Sequence, residues 1–339
     1  MNTLTNLQKR RDLFFDAIPQ LPMGRYVHIV LLRETESFPI FQTDGTLNVI
    51  RVQAGLKDSS PIFRLIMFKR KQSSPERLTG RELLRQQGII TDEKGERFCE
   101  YNSGNFCKSC PDCILYGFAI GNEGAEKSKV YTDSAFSITP YEESHRSFTF
   151  NAPYEHGTMT QQGETTSRFG EQDHVVPQVF FPAVVTLRDP VYEGFLYVLG
   201  NILRTDRYGA TDTRTGRMEN HVVAIVFTNG EIFSNLRYTQ AIYDYLREHQ
   251  WWAEPLVREY VLQAAESVYT ALMGQEPVVK WEEFTGDRLQ GLLAEVRAIY
   301  QDEKQTQALL QNLDAKTRRY AQIYGAQKEK GKKSEEPQE

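Results

Sequence analysis

Four cysteines fall within fifteen residues, Cys99, Cys107, Cys110 and Cys113, and the chain has no others. Their spacing is C-x7-C-x2-C-x2-C. A thiolate binds zinc tetrahedrally at about 2.3 Å, and structural zinc sites close with four Cys or His ligands. A two-residue spacer turns both sulfurs of a CxxC toward one ion, and the last three cysteines form two overlapping turns of this kind. Asn102, Ser103, Gly104 and Asn105 make a flexible loop that lets Cys99 return as the fourth ligand. Two other readings compete. C-x2-C-x2-C also opens a ferredoxin pattern, although residues 114–122 supply no later cysteine. Free thiols or disulfides are the other; disulfides suit secreted proteins, and the N-terminus does not read as a signal sequence. His145 or His156 could replace one cysteine as ligand. Four thiolates leave no open coordination position, so the expected role of the ion is structural.

A second chemistry lies in the cations. Residues 51–85 carry nine Lys or Arg against three acids. Arg51, Lys57, Arg64, Lys69, Arg70 and Arg81 are candidate phosphate ligands there, against the alternative of a merely solvated face. Residues 203–221 place Arg204, Arg207, Arg214 and Arg217 beside Tyr208, Gly209, Gly216 and several Thr. Guanidinium forks, accessible backbone N–H groups and hydroxyls together suit phosphate. For cleavage chemistry the candidates are Asp44, in QTDGT, and the pair Asp173–His174. An Asp before Gly is also a turn signal, and a turn Asp is more often structural. Hydrolase triads, P-loops and dinucleotide-binding fingerprints are absent.

The chain has 339 residues, 40% of them hydrophobic, and a formal charge of −5. That balance excludes a generic cationic DNA-coating protein but leaves room for a positive groove. No apolar run approaches the roughly 18 residues of a membrane-spanning helix. A cytoplasmic protein without membrane contact is expected.

The elements that must position these groups follow from periodicity. Residues 3–18 read as a short amphipathic helix. Tyr26 to Arg33 reads as a buried strand with His28 as a core residue. Phe38 to Arg51 reads as a hairpin about Asp44-Gly45. LTGRELLRQQG reads as a helix capped by Thr79 and Glu82 and ended by Gly88. Val130 to Thr139 and Ser147 to Asn151 read as strands. Residues 152–177, polar and rich in Gly and Thr, read as a hairpin arm with Met159 as its contact tip. Val179 to Leu187 is a strand, Asp189-Pro190 a helix start, and His221 to Thr228 a strand. The chain turns helical from Leu236, and the tail from 326 is expected to be disordered. The order is βαββαβ, ferredoxin-like, which is also the frame of RRM-type RNA binders. The class is α+β. A palm over 20–235 would hold a zinc-binding insertion at 88–128 and a hairpin at 145–178, with helices over 236–325.

At CPDCILYGFAIG together with LGNILRTDRYGATDTRTGRMEN, the sequence resembles the backbone subunit of type I-D CRISPR effector complexes, in the repeat-associated RNA-binding superfamily. The resemblance covers residues 20–275. It implies a modified RRM shaped like a hand, several copies stacked along one CRISPR RNA, and sister subunits completing the complex. A thumb hairpin would kink the guide; by position it is the arm, with Met159 near its tip and Arg168 as its cation. The palm would carry the basic residues from Arg51 to Arg81, and the Gly-rich loop would be residues 204–217. The bases would stay open to target DNA, leaving sequence choice to the guide. Zinc in the cysteine cluster agrees with the family. Related subunits that cut target RNA use a palm-loop Asp, for which Asp44 is the positional candidate.

Overall fold

A computed structural model describes residues 4–7, 9–121, 124–150, 160–161, 164–165, 170–211 and 214–325. The strands in chain order are β1 (Tyr26–Thr35), β2 (Val49–Gln53), β3 (Pro61–Met67), β4 (Phe118–Ile120), β5 (Gly124–Glu126), β6 (Val130–Thr132), β7 (Ala135–Phe136), β8 (His145–Phe150), β9 (Thr160–Gln161), β10 (Glu164–Thr165), β11 (Gly170–Val175), β12 (Phe180–Arg188), β13 (Arg207–Thr211), β14 (Arg214–Thr228) and β15 (Lys280–Phe284). The helices are α1 (Lys69–Gln86), α2 (Pro111–Tyr116), α3 (Tyr141–Ser144), α4 (Tyr192–Arg204), α5 (Asn235–Glu248), α6 (Arg258–Met273), α7 (Gly286–Gln301) and α8 (Glu303–Tyr320).

The main sheet runs β13-β14-β1-β12-β6, with β15 added to β14, and every pairing in it is antiparallel. β1 is central because it is apolar on both faces. Val27, Ile29 and Leu31 join one core with α4, α7 and α8. Val30 and Leu32 join a second core with α5 and α6. Among the described residues, helices therefore cover both faces of this sheet. α1 and α4 lie against each other; Gly80 permits this, since a Cβ there would sit 2.4 Å from Asn201 and Tyr197.

Several sequence expectations are corrected. Residues 3–18 form two short 3-10 turns, Thr5–Leu7 and Arg11–Leu13, instead of a helix. α1 begins ten residues before Thr79, at Lys69, so Thr79 and Glu82 lie inside the helix and form no capping box. Gly88 does end it, at φ +63°. Asp189 does not cap α4; its carboxylate accepts the N–H groups of Met23 and Arg25 at 3.0 and 3.1 Å, fixing the approach to β1. β15 interrupts the C-terminal helices, a strand the polar residues of KWEEF concealed. The stem of the expected arm is the ladder β8–β11, pairing His145 with Val175 through Phe150 with Gly170. Met159, Arg168, His156 and the 326–339 tail lie outside the described residues.

Candidate metal centre and nucleic-acid groove

The cysteine cluster is built where α2 starts. Cys110 immediately precedes the helix, Pro111 opens it, and Cys113 falls one turn later. The Sγ atoms of Cys99 and Cys113 are 3.6 Å apart, and those of Cys99–Cys110 and Cys107–Cys113 are 4.0 Å apart. A tetrahedron with arms of about 2.3 Å has edges of about 3.8 Å, so one ion of zinc's size fits between the four sulfurs. A disulfide would need about 2.05 Å, and an iron–sulfur cube would need sulfurs held farther apart. The backbone N–H groups of Cys107 and Cys110 point at Cys99 and Cys107 sulfurs, each at 3.3 Å. Such donors favour thiolate. Hydrogen bonds from Cys110 and Cys113 hold the Cys107 thiol well below its usual range, while Cys107 pushes Cys110 and Cys113 up. His145 stands outside the group formed by the four cysteines, and its Nδ1 meets the Tyr141 carbonyl at 2.7 Å.

The cations divide sharply. Arg64 and Arg81, expected to meet RNA, are fully buried. Arg64 donates to the carbonyls of Ala54, Ser137 and Ile138, which tie the β2–β3 hairpin to the strand after it. Burial pulls its guanidinium down to about 10. Arg81 bonds Asp112 at 2.8 Å and the Cys99 carbonyl at 2.6 Å. Tyr208 is buried too. Its hydroxyl joins Arg33, Glu76 and Asn220 in one network, with Arg33–Glu76 at 2.8 Å and Asn220–Tyr208 at 2.8 Å. Burial pushes the Glu76 carboxyl up and the Arg33 charge draws it back. These three residues are framework, because a guanidinium or phenol without solvent access cannot reach a phosphate.

The exposed cations are also not one set. Lys57 pairs with Glu248, Lys69 with Asp133, and Arg217 with both Glu36 and Asp206. Exposed pairs of this kind hold weakly, because water and salt screen them. Arg204, at the end of α4, lies over the Tyr300 ring at 5.8 Å. Arg51 is exposed on β2, directly opposite Phe63. Arg214 opens β14.

Arg70 and Arg207 come together, and Lys71 joins them. A groove of about 430 Å³ runs between α1 and the β13–β14 hairpin, lined by Arg70, Lys71, Ser74, Pro75, Leu78, Thr79, Glu82, Arg207, Tyr208, Gly209 and Thr215. Among the described residues Arg70, Lys71 and Arg207 stand in no ion pair. Partial burial, then the neighbouring Arg70, holds the Lys71 ammonium below its usual range, so a bound anion would relieve it. Gly209 lets the hairpin wall close: at φ +57°, a Cβ there would lie 2.7 Å from the Phe41 ring. Ser74, Pro75 and Leu78 were not among the sequence candidates, whereas Lys71 lay in the basic run of 51–85 and Gly209 and Thr215 in the loop of 203–221. The 71/74/78/82 spacing is a helix face that is visible once α1 is started at Lys69.

The acids expected to do chemistry are apart from this groove. Asp44 is exposed in a bend closed by the Gln42–Leu47 bridge. Asp173 accepts from Ser147 and lies 3.5 Å from the Tyr141 hydroxyl. His174 is its neighbour on β11, and side chains alternate along a strand, so the two face opposite sides and form no dyad. A second acidic cluster, Glu34, Glu219 and His221, is closed by Arg258, 2.7 Å from Glu34. His28 is a core residue as expected, held by Thr186 at 2.7 Å and Thr228 at 3.0 Å.

A cysteine cluster braced on one helix, a doubly covered antiparallel sheet and a groove lined by Arg70, Lys71 and Arg207 together mark this α+β protein. Residues 13–310 match the sequence profile of the family described as Csc2 Crispr, and the chain belongs to that family. Its fold is similar to the crystal structure of Thermofilum pendens Csc2, with a TM-score of 0.58 at 14% identity, covering 95% of this chain and 96% of that one. It is also similar to a chain of a CRISPR RNA-guided surveillance complex in a pre-nicking state, with a TM-score of 0.52 at 9% identity, covering 80% of this chain and 99% of that one. At these identities the likeness speaks for the fold alone. No curated protein matches the chain. Among the described residues no helix is long and apolar enough to cross a membrane.

Proposed function

We propose that this chain is the guide-RNA-binding backbone subunit of a type I-D CRISPR surveillance complex. Several copies bind side by side along one CRISPR RNA, beside sister subunits, and hold the guide open for pairing with target DNA. Membership of the Csc2 family supports the complex. The carrying observation is the α1/β13–β14 groove, where Arg70, Lys71 and Arg207 have no carboxylate partner among the described residues.

In this reading the strands β1, β6, β12 and β14 with α1 and α4 are a modified RRM palm. Guide phosphates are neutralised at the groove rim, not on the sheet face, which α5 and α6 cover. Zinc bound by Cys99, Cys107, Cys110 and Cys113 would be structural, since all four positions are protein thiolates and no water remains to activate. The subunit is a scaffold without a catalytic group of its own.

The test is single-stranded RNA binding by the Arg70→Ala/Arg207→Ala double variant across a salt series. Each lost phosphate contact lowers the salt slope by about 0.7. A weaker affinity on every sequence, with a slope shallower by about 1.4, is expected. Wild-type affinity at physiological salt would remove the groove from the interface.

A further inference from the structure

The two halves of α8 are held in different ways. Leu309, Leu310 and Leu313 seat its first turns in the core with α4 and α7. Its last turns make polar contacts instead, and these fall on both ends of the cysteine segment. Ahead of Cys99, the Ile89 carbonyl accepts from Arg318 at 3.4 Å, and two residues on the Thr91 carbonyl accepts from the Cys99 N–H at 3.4 Å. Directly after Cys113, the Ile114 carbonyl accepts from the Lys129 ammonium at 3.0 Å. That ammonium lies 4.6 Å from the centre of the Tyr320 ring, and the Tyr320 hydroxyl donates to Glu126, the partner of Lys129, at 3.3 Å.

Arg318 also brings charge. Asp314, one turn back, accepts from its Nε at 2.7 Å and so orients the guanidinium. Burial works against that charge, Asp314 favours it, and the sulfurs of Cys107 and Cys110 favour it further, leaving the guanidinium above its ordinary range. Four thiolates around one divalent ion leave a negative centre, and a buried anion needs a cation close by. The two arginines of α1, Arg77 and Arg81, are already paired with Asp112. Arg318 comes from outside residues 13–310, the stretch shared with the family profile.

We propose that the last turns of α8, Asp314 to Tyr320, are a clasp that closes on the metal-loaded cysteine centre, with Arg318 as its positioning residue. Residues that orient a metal's ligands from outside change its affinity about 10–100-fold. Linkage makes the effect reciprocal: the factor by which docking raises metal affinity is the factor by which metal favours docking. The clasp goes beyond the guide-binding reading and requires only that the cysteines hold an ion.

The test uses the full chain, with zinc as the probe. Elemental analysis comes first, and a protein without metal would remove the centre and the clasp together. Hydrogen exchange then compares zinc-loaded and chelator-treated protein. Residues 314–320 should lose protection on chelation while 303–313, held by the leucines, keep theirs. Zinc release to a chromophoric chelator should be about tenfold faster or more in Arg318→Leu. Arg318→Lys, which keeps the charge, should release zinc more slowly than the leucine variant, and thermal melts check that both fold. Unchanged protection of 314–320 after chelation, or wild-type zinc release from folded Arg318→Leu, would overturn the clasp. If chelation exposes both halves of α8 alike, the release rate decides.

Discussion

Arg81 and Asp112 form a fully buried ion pair, 2.8 Å apart, that fastens the cysteine loop to α1. Arg77 grips the same carboxylate with two donors, at 3.0 and 2.9 Å, and Arg81 also holds the Cys99 carbonyl. The cysteine cluster and the groove thus share one helix. Removing one partner of a buried pair costs about 3–5 kcal/mol when the other charge is left unpaired; here Arg77 still holds Asp112, so the loss should fall below that range. Arg81→Ala should lower the denaturation midpoint by a corresponding amount and loosen the metal. Thermal melts and metal content of the purified variant check both effects.

Metal removal should act on folding before it acts on RNA. Structural sites have no preformed partner in the unfolded chain, so binding energy adds to folding energy. The protein should carry one zinc per chain. A strong chelator, or Cys110→Ser, should lower the melting temperature by many degrees and expose 88–118 to protease. Elemental analysis with calorimetry checks this, and an unchanged melt would show that the thiols hold no ion.

Arg64→Ala should behave as a folding variant. Its three carbonyl partners would be left buried without a donor, at about 1–3 kcal/mol each. Once folded at low temperature, it should bind RNA like wild type, whereas Arg207→Ala should melt like wild type and bind weakly.

Stability should fall with acid through His28. Burial, the main cause, lowers its folded value to about 4 from an ordinary 6.5. The unfolded chain therefore takes up the proton first. The loss is absent above pH 6.5, grows as pH falls toward 4, and amounts to about 3 kcal/mol when complete. His28→Gln, which keeps hydrogen bonding to Thr186, should flatten this part of the profile in urea titrations.

Much of the fold was legible because apolar periodicity and cysteine spacing are local signals. Tyr26 to Arg33 and Val179 to Leu187 alternate between two cores, so their runs read as buried strands. The cysteines needed only short turns to meet. The start of α1 was hidden because KRKQSSPE has few apolar residues and an internal proline, and Thr79–Glu82 imitates a cap. Arg64 and Arg81 misled for a different reason. Charge in a sequence says nothing about burial, and their partners, distant carbonyls and Asp112, are fixed only by tertiary packing. The groove escaped since its walls lie about 130 residues apart and meet through tertiary contacts, the Arg33–Glu76–Tyr208 network and the Thr79–Thr205 hydroxyl bond among them.

Asp44 is exposed and stands in no cluster of metal-ligating side chains among the described residues. A guide-loaded complex given complementary RNA and magnesium should leave it intact. Cleavage that disappears in Asp44→Ala would make the subunit a ribonuclease as well.

The most direct test of the scaffold role is to identify what nucleic acid co-purifies with the protein expressed beside a CRISPR array and its sister subunits. The account predicts repeat-derived RNA, protected over lengths that grow with the number of copies bound. A protein that stays monomeric and free of RNA, with those partners present, would contradict it.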